Sequence, residues 1–314
     1  MTTERTSITT KPLRDNTRPT RLELATGGII CLVVAGLWIG AGSGPLTAVK
    51  AAVLGAVEGI TEFLPVSSTG HLLVTQRLLG LGTGDGKMAA DTYAIAIQLG
   101  AILAVVALYR ARIAELARGL AGRDEVGRQL LVRLVVAFVP AAVVGLVLSS
   151  SIKTHLFGPW PIVAAWSAGG AFLLWWRPRH GATPLQSFTV RHAALIGGVQ
   201  VLALWPGVSR SLVTIAAALA IGATMSAAVE FSFLLGLATL TAATALDLAK
   251  DGPTLLADYG WRTPLLGVLI AFVTAFAAVR WLVNYLKTRA LTIFGWYRLG
   301  IAGVTIVLIA AGAV

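Results

Sequence analysis

Apolar runs of about 17–20 residues recur along this chain, and each is long enough to cross a hydrocarbon layer as one helix. Candidates run near 92–109, 130–148, 160–176, 228–247, 264–285 and 295–313, after an earlier run from Leu24 to Ala41. Composition removes the soluble alternative. Of 314 residues, 56% are hydrophobic and only 12% charged, against about 25% charged in soluble domains, and a soluble surface has to be covered with something polar. The formal charge of +11 does not point to nucleic acid, because the basic residues sit in short loops between apolar runs, as anchors on an anionic leaflet do. The single cysteine, Cys31, lies inside an apolar run, which leaves no disulfide framework and no metal–thiolate site.

Residues 1–22 are polar and basic, with Pro12 and Pro19, and are expected to form a disordered cytoplasmic tail. For 23–44 two readings compete: a signal peptide with Ala41-Gly42-Ser43-Gly44 as its small-residue exit, and a retained anchor helix. The length of the apolar run favours the extra transmembrane helix. The remaining 45–314 form one membrane domain.

Two further apolar segments, 49–80 and 193–223, are interrupted at mid-length by Pro65-Val66-Ser67-Ser68-Thr69-Gly70 and Pro206-Gly207-Val208-Ser209-Arg210-Ser211. Each half is too short to cross, and broken helices at membrane depth survive only where they pack in protein or line a wet cavity. Both are expected to be re-entrant hairpins. Loop charge supports that layout. Segments 110–128, 177–192 and 286–294 are rich in Arg and Lys and should be cytoplasmic with the N-terminus; 81–91, 149–159 and 248–263 are poorer and should be outside. Seven crossings and two non-crossing hairpins satisfy every assignment.

Leu54-Gly55-Ala56-Val57-Glu58 resembles Ile196-Gly197-Gly198-Val199-Gln200, and each leads to a Pro with a serine three positions on, Ser68 and Ser209. The fold class expected is an all-α polytopic membrane protein built as an inverted repeat. Repeat one covers about 48–176 and repeat two about 193–313, each a hairpin followed by three spans. Three is odd, so the copies are inverted and their broken tips can meet near the midplane.

The chemistry concentrates at those tips. Glu58 and Glu62 lie four apart on one helix face, and carboxylates in an apolar hairpin are functional candidates by default. Pro65 ends the first half-helix, so Ser67, Ser68 and Thr69 open the next, where free N–H groups and the helix dipole favour an anion. His71 lies about one turn from Ser68 and could exchange protons with its hydroxyl or with a leaving phosphate. In the second tip Ser209 is placed as a cap, Arg210 offers a planar fork for phosphate oxygens, and Ser211 and Thr214 add hydroxyls. Two helix N-termini, an Arg, a His and several hydroxyls make a phosphate site. The carboxylates beside it need either a divalent cation to screen them or a role as base for one of them.

Taken singly, most of these residues have blander explanations. Membrane serines and threonines usually bond back to their own helix, and the Gly55–Gly59 spacing usually marks close helix packing. Trp38, Trp160, Trp261 and Trp296 read as interfacial anchors, and Arg110 to Arg128 as lipid-facing topology determinants. Convergence at two helix breaks favours the joint site.

At these residues the chain resembles the undecaprenyl pyrophosphate phosphatase family of the bacitracin-resistance type. The two tip motifs carry the resemblance, with Ile97-Gln98-Leu99-Gly100, Glu230-Phe231-Ser232-Phe233-Leu234-Leu235 and Ala243-Thr244-Ala245-Leu246-Asp247 in support, over about 48–313. It implies removal of the terminal phosphate of undecaprenyl diphosphate at the outer face of the cytoplasmic membrane, recycling the lipid carrier for cell-wall synthesis, with dependence on Mg²⁺ or Ca²⁺. It assigns Glu58 and Glu62 to metal or base, Ser68 to nucleophilic attack, His71 to nucleophilic attack or acid/base work, and Ser209, Arg210 and Thr214 to diphosphate binding. The chain departs from the family pattern at Ala94 and Leu212. Implied partners are a polyprenyl diphosphate and membrane lipids, with a homodimer as candidate assembly and no nucleic acid. The rival is a polyprenyl-phosphate carrier or flippase, which needs the anion site but no nucleophile.

Overall fold

A computed structural model describes residues 46–81, 87–178 and 181–314. The expected tail 1–22 and anchor helix 23–44, with Cys31 and Trp38, lie outside the described residues. Within them the chain is helical: α1 (Ala48–Thr61), α2 (Ser68–Leu78), α3 (Lys87–Ala96), α4 (Gln98–Leu108), α5 (Arg110–Leu120), α6 (Glu125–Leu156), α7 (Pro159–Trp175), α8 (Val190–Gln200), α9 (Arg210–Ala220), α10 (Met225–Tyr259), α11 (Arg262–Tyr285) and α12 (Thr292–Ala310). Short 3₁₀ turns at Leu185–Ser187 and Val201–Leu204 complete it.

Among the described residues, five helical segments are long and apolar enough to cross a membrane: Lys87–Leu108 (α3 and α4, interrupted at Ile97), α6, α10, α11 and α12. The protein is an integral membrane protein. The remaining candidate near 160–176 is α7, at 17 residues about 25 Å long. Pro159 opens it, and the extended Trp176 before Arg177-Pro178 closes it. Both apolar segments read as hairpins are pairs of short helices, α1–α2 and α8–α9, broken where the prolines stand.

Three segments read as loops are largely helical. α6 runs through most of 149–159 and α10 through most of 248–263, despite Pro253. Leu255 and Tyr259 of that extension pack with Tyr93 in a buried cluster, which offsets the hydrogen bond Pro253 cannot make. Segment 110–128 holds α5 and the first turn of α6, and Arg112 is no free lipid-facing charge. It is half-buried and bonded to Glu115 and, at 2.7 Å, to Glu230 of α10.

Close helix contact backs both hairpins. A Cβ on Gly55 would stand 2.5 Å from the Gly267 carbonyl, and one on Gly59 2.3 Å from that of Ala271, so α1 lies directly on the backbone of α11. In the second hairpin a Cβ on Gly197 would meet the Ala137 carbonyl at 2.4 Å, seating α8 on α6. Small residues of this kind let membrane helices approach closely. The tip residues Phe63 and Val66 then share the main buried cluster with Leu212, Val213, Phe231 and Phe233.

Candidate active site

The two broken tips touch. Ser67 is the N-cap of α2 and Ser209 the N-cap of α9, and these are the two non-glycine residues with positive φ among the described residues, at 72° and 60°. The Gly207 N–H donates to the Ser67 hydroxyl oxygen at 3.2 Å. In return the Ser209 and Ser211 hydroxyls donate to the Leu64 carbonyl at 3.4 and 2.9 Å. Ser209 also accepts the Leu212 N–H, capping its own helix.

Four consecutive carbonyls of the first tip are each taken by a side-chain donor from a different helix. Leu64 receives Ser211 of α9, Pro65 receives Arg298 of α12, Val66 receives the Trp166 indole N–H of α7, and Ser67 receives the His71 ring of α2. The negative ends of the tip are therefore neutralised inside protein. The opening turn of α2 keeps its N–H groups, which in any helix lack intrahelical acceptors. The result is a buried, positively biased break suited to an anion.

Across this break runs a polar chain. Ser68 donates its hydroxyl to Glu62, whose other carboxylate oxygen accepts Arg210 Nη2 at 3.0 Å. Arg210 Nη1 donates to the Ser232 carbonyl at 3.0 Å, its guanidinium lies over the Phe63 ring, and its buried Nε has no partner. Gly236 leaves the space it occupies, since a Cβ there would fall 2.0 Å from Nη1. Glu58, fully buried, adjoins Glu62, and both its carboxylate oxygens lack a hydrogen-bond donor.

His71 is held differently from expectation. Its Nδ1 bonds the Ser67 carbonyl at 2.7 Å, and since a carbonyl only accepts, Nδ1 carries the proton. In the neutral ring Nε2 then accepts the Tyr297 hydroxyl at 2.9 Å. Trp166 packs edge-on and Tyr297 stacks against the same ring. The group bonded to the Ser68 hydroxyl is thus Glu62 and not His71. The reason is the tight turn at 62–67, which folds Glu62 back over the start of α2.

The remaining expected residues are placed as follows. Ser67 matches Ser209 as cap, so the second tip is one residue longer after its proline than a Ser68–Ser209 pairing supposes. Thr69 is half-buried at the start of α2. Thr214 is fully buried, its hydroxyl committed to the Arg210 carbonyl and to Ser232. Arg298, Trp166 and Tyr297 join the site without being singled out in the sequence, and Ser232 joins it from the supporting motif at 230–235. For Arg298 the signal was there, a lone cation inside an apolar span.

A divalent cation takes oxygen ligands, and the unpartnered carboxylate of Glu58 beside Glu62 is a donor set of that kind. No group of three or more His, Cys, Asp or Glu side chains suited to a metal occurs among the described residues. Carboxylate oxygens for it would come from this pair.

Residues 51–304 match the family model described as bacitracin resistance protein BacA. An undecaprenyl-diphosphatase of Sorangium cellulosum (strain So ce56) is 44% identical over 263 residues, 82% of this chain and 84% of the relative. Undecaprenyl-diphosphatase 2 of Rhodospirillum rubrum is 43% identical over 254 residues, 80% of this chain and 91% of its own. The undecaprenyl-diphosphatase of Nitrobacter winogradskyi is 39% identical over 271 residues, 84% and 98% of the two chains.

Proposed function

The chain belongs to the bacitracin resistance protein BacA family, and from that premise we propose how its two tips act as an undecaprenyl-diphosphate phosphatase. The enzyme hydrolyses undecaprenyl diphosphate to undecaprenyl phosphate and inorganic phosphate, renewing the lipid carrier used in cell-wall synthesis and giving bacitracin resistance. The observation that carries the mechanism is the chain Ser68–Glu62–Arg210, which spans both helix breaks.

The diphosphate binds against the N-terminus of α2, with Arg210 and the cap of α9 opposite, and the polyprenyl tail extends into lipid. Arg210 Nε, buried without a partner, supplies a donor for a phosphate oxygen. Ser68 Oγ attacks the terminal phosphorus as its proton passes to Glu62. The bond from that phosphorus to the bridging oxygen breaks, and undecaprenyl phosphate leaves with the electron pair. Water then attacks the phosphorus of the phosphoserine, Glu62 returns its proton to the departing Ser68 Oγ, and inorganic phosphate leaves with both protons of the water. Preorganised donors at both tips stabilise the charge on the transferring group. Glu58 and Glu62 would hold Mg²⁺ or Ca²⁺, which would neutralise diphosphate charge beside the carboxylates.

The surrounding architecture follows the inverted repeat. Repeat one, 48–176, and repeat two, 193–313, each open with a hairpin, and hairpins entering from opposite faces bring their tips together. The reciprocal clasp of Ser67 and Ser209 supports this arrangement. The site opens to the outer face of the cytoplasmic membrane, as the loop charges imply.

The test is phosphate release from undecaprenyl diphosphate by detergent-purified protein, with Ser68→Ala and His71→Ala beside it. An acid-stable phosphoryl adduct, absent in Ser68→Ala, is expected. An acid-labile adduct lost in His71→Ala would move the attack to His71. Tight lipid binding without phosphate release by folded wild-type protein would favour the carrier instead.

A further inference from the structure

Arg298 is among the largest fully buried side chains in the described structure, yet it has no carboxylate partner there. Its terminal nitrogens donate to backbone carbonyls, Nη1 to Pro65 at 3.3 Å and Nη2 to Ala165 and Gly207, each at 2.8 Å, while its buried Nε has no partner. Pro65 belongs to the first tip, Gly207 to the second and Ala165 to α7. One guanidinium therefore bridges both helix breaks and ties them to a third helix. The fold makes room for it, because a Cβ on Gly169 of α7 would fall 2.3 Å from Nη2 and 2.7 Å from Cζ. The preceding residue, Tyr297, bonds His71, so α12 reaches the histidine and both tips through adjacent positions.

A buried cation facing only neutral acceptors is costly unless the site supplies a compensating charge. Glu62 is already matched by Arg210, and every hydrogen bond of Arg298 ends on a backbone carbonyl. We infer that Arg298 is a positioning residue for phosphoryl transfer: it fixes the separation of the two tips, and with it the two helix N-termini and the Ser68–Glu62–Arg210 chain, for the diphosphate. Lysine cannot do the same, since its single nitrogen lacks the planar fork that reaches three carbonyls around one centre.

This inference rests on the phosphatase reading, and the experiment separates the two. Phosphate-release kinetics on undecaprenyl diphosphate are measured for purified wild type, Arg298→Lys, Arg298→Met, Gly169→Ala and the double variant Gly169→Ala/Arg298→Met. Misplacement of reacting groups by about 1 Å costs about 10²-fold in rate. A kcat loss of that order is expected in both Arg298 variants, with KM held within about twofold because the lipid contacts persist. Gly169→Ala, which improves helix propensity, should reproduce the kcat loss by displacing the guanidinium. In the Arg298→Met background it should cost nothing more, a non-additivity that a general packing defect would not give. An active wild type with unchanged kcat in Arg298→Lys and Gly169→Ala would overturn the inference while leaving the phosphatase standing. Additive losses in the double variant would overturn it too. A folded wild type that releases no phosphate would overturn both.

Discussion

Ser67 and Ser209 hold each other's hairpin. The Ser67 hydroxyl oxygen accepts an N–H from Gly207, and the Ser209 hydroxyl donates to Leu64, each reaching into the opposite tip. Both residues have positive φ, a conformation that costs a non-glycine residue about 1–3 kcal/mol and persists only where the surroundings over-determine it. Glycine would relax the backbone and lose the clasp. Ser67→Ala should leave the buried Gly207 N–H without an acceptor, at about 1–3 kcal/mol. Ser209→Ala should cost about 1 kcal/mol through its lost cap. Thermal unfolding in one detergent checks the order, and a Ser67→Ala protein as stable as wild type would count against the clasp.

The shared bonding of Glu62 predicts coupled kinetics. Because Glu62 takes the Ser68 hydroxyl on one oxygen and Arg210 on the other, Glu62→Gln should remove the proton acceptor and loosen Arg210 in one change. Loss of kcat by at least about 10²-fold is expected for Glu62→Gln, in the range of a positioned general base. Residues acting as a unit are strongly non-additive. The double variant Glu62→Gln/Ser68→Ala should therefore be no slower than Ser68→Ala alone. A multiplicative loss in the double variant would show that the two act in separate steps.

Glu58 predicts a metal response that can be read without turnover. Its two buried oxygens have no donor, so a cation held there stabilises the folded protein by mass action, by about 2.7 kcal/mol at a hundredfold excess over Kd. Mg²⁺ or Ca²⁺ should raise the unfolding temperature of the wild type and EDTA should reverse it. Glu58→Gln should abolish the shift. An equal metal-induced shift in Glu58→Gln would place the cation elsewhere.

Much of this site is legible in the sequence because helix breaks are local chemistry. Pro65 and Pro206 mark where the hairpins break, and serines stand at both N-cap positions that follow, Ser209 capping its helix through Leu212 N–H. Long apolar runs likewise announce α6, α10, α11 and α12. What the pattern does not carry is direction across space. The turn that folds Glu62 onto Ser68 depends on a positive φ at Ser67, which serine rarely adopts and no propensity predicts. The Tyr297 bond to His71 joins residues 226 apart in sequence. Arg112 reads as a topology charge until α10 brings Glu230 to it. Helix ends are read short where a later contact extends them, as Leu255 and Tyr259 do for α10.

The seating of α1 on α11 should control the carboxylates from behind. Gly59 stands between Glu58 and Glu62, and a Cβ there would meet Ala271 O at 2.3 Å and Ala275 N at 2.8 Å. Both are backbone atoms that cannot rotate aside, so Gly59→Ala must push the helices apart. Overpacking of this kind costs about 1–3 kcal/mol, and it shifts the helix that carries both acids. Gly198 in α8 is the control, with nothing within 4 Å of its built Cβ. Gly198→Ala should be neutral or stabilising by about 0.5–1 kcal/mol through backbone entropy alone. Unfolding temperatures and phosphate release of the two variants, measured side by side, should therefore diverge: Gly59→Ala loses both, and Gly198→Ala keeps both. Equal behaviour would mean that α1 and α11 have slack the backbone contacts do not show.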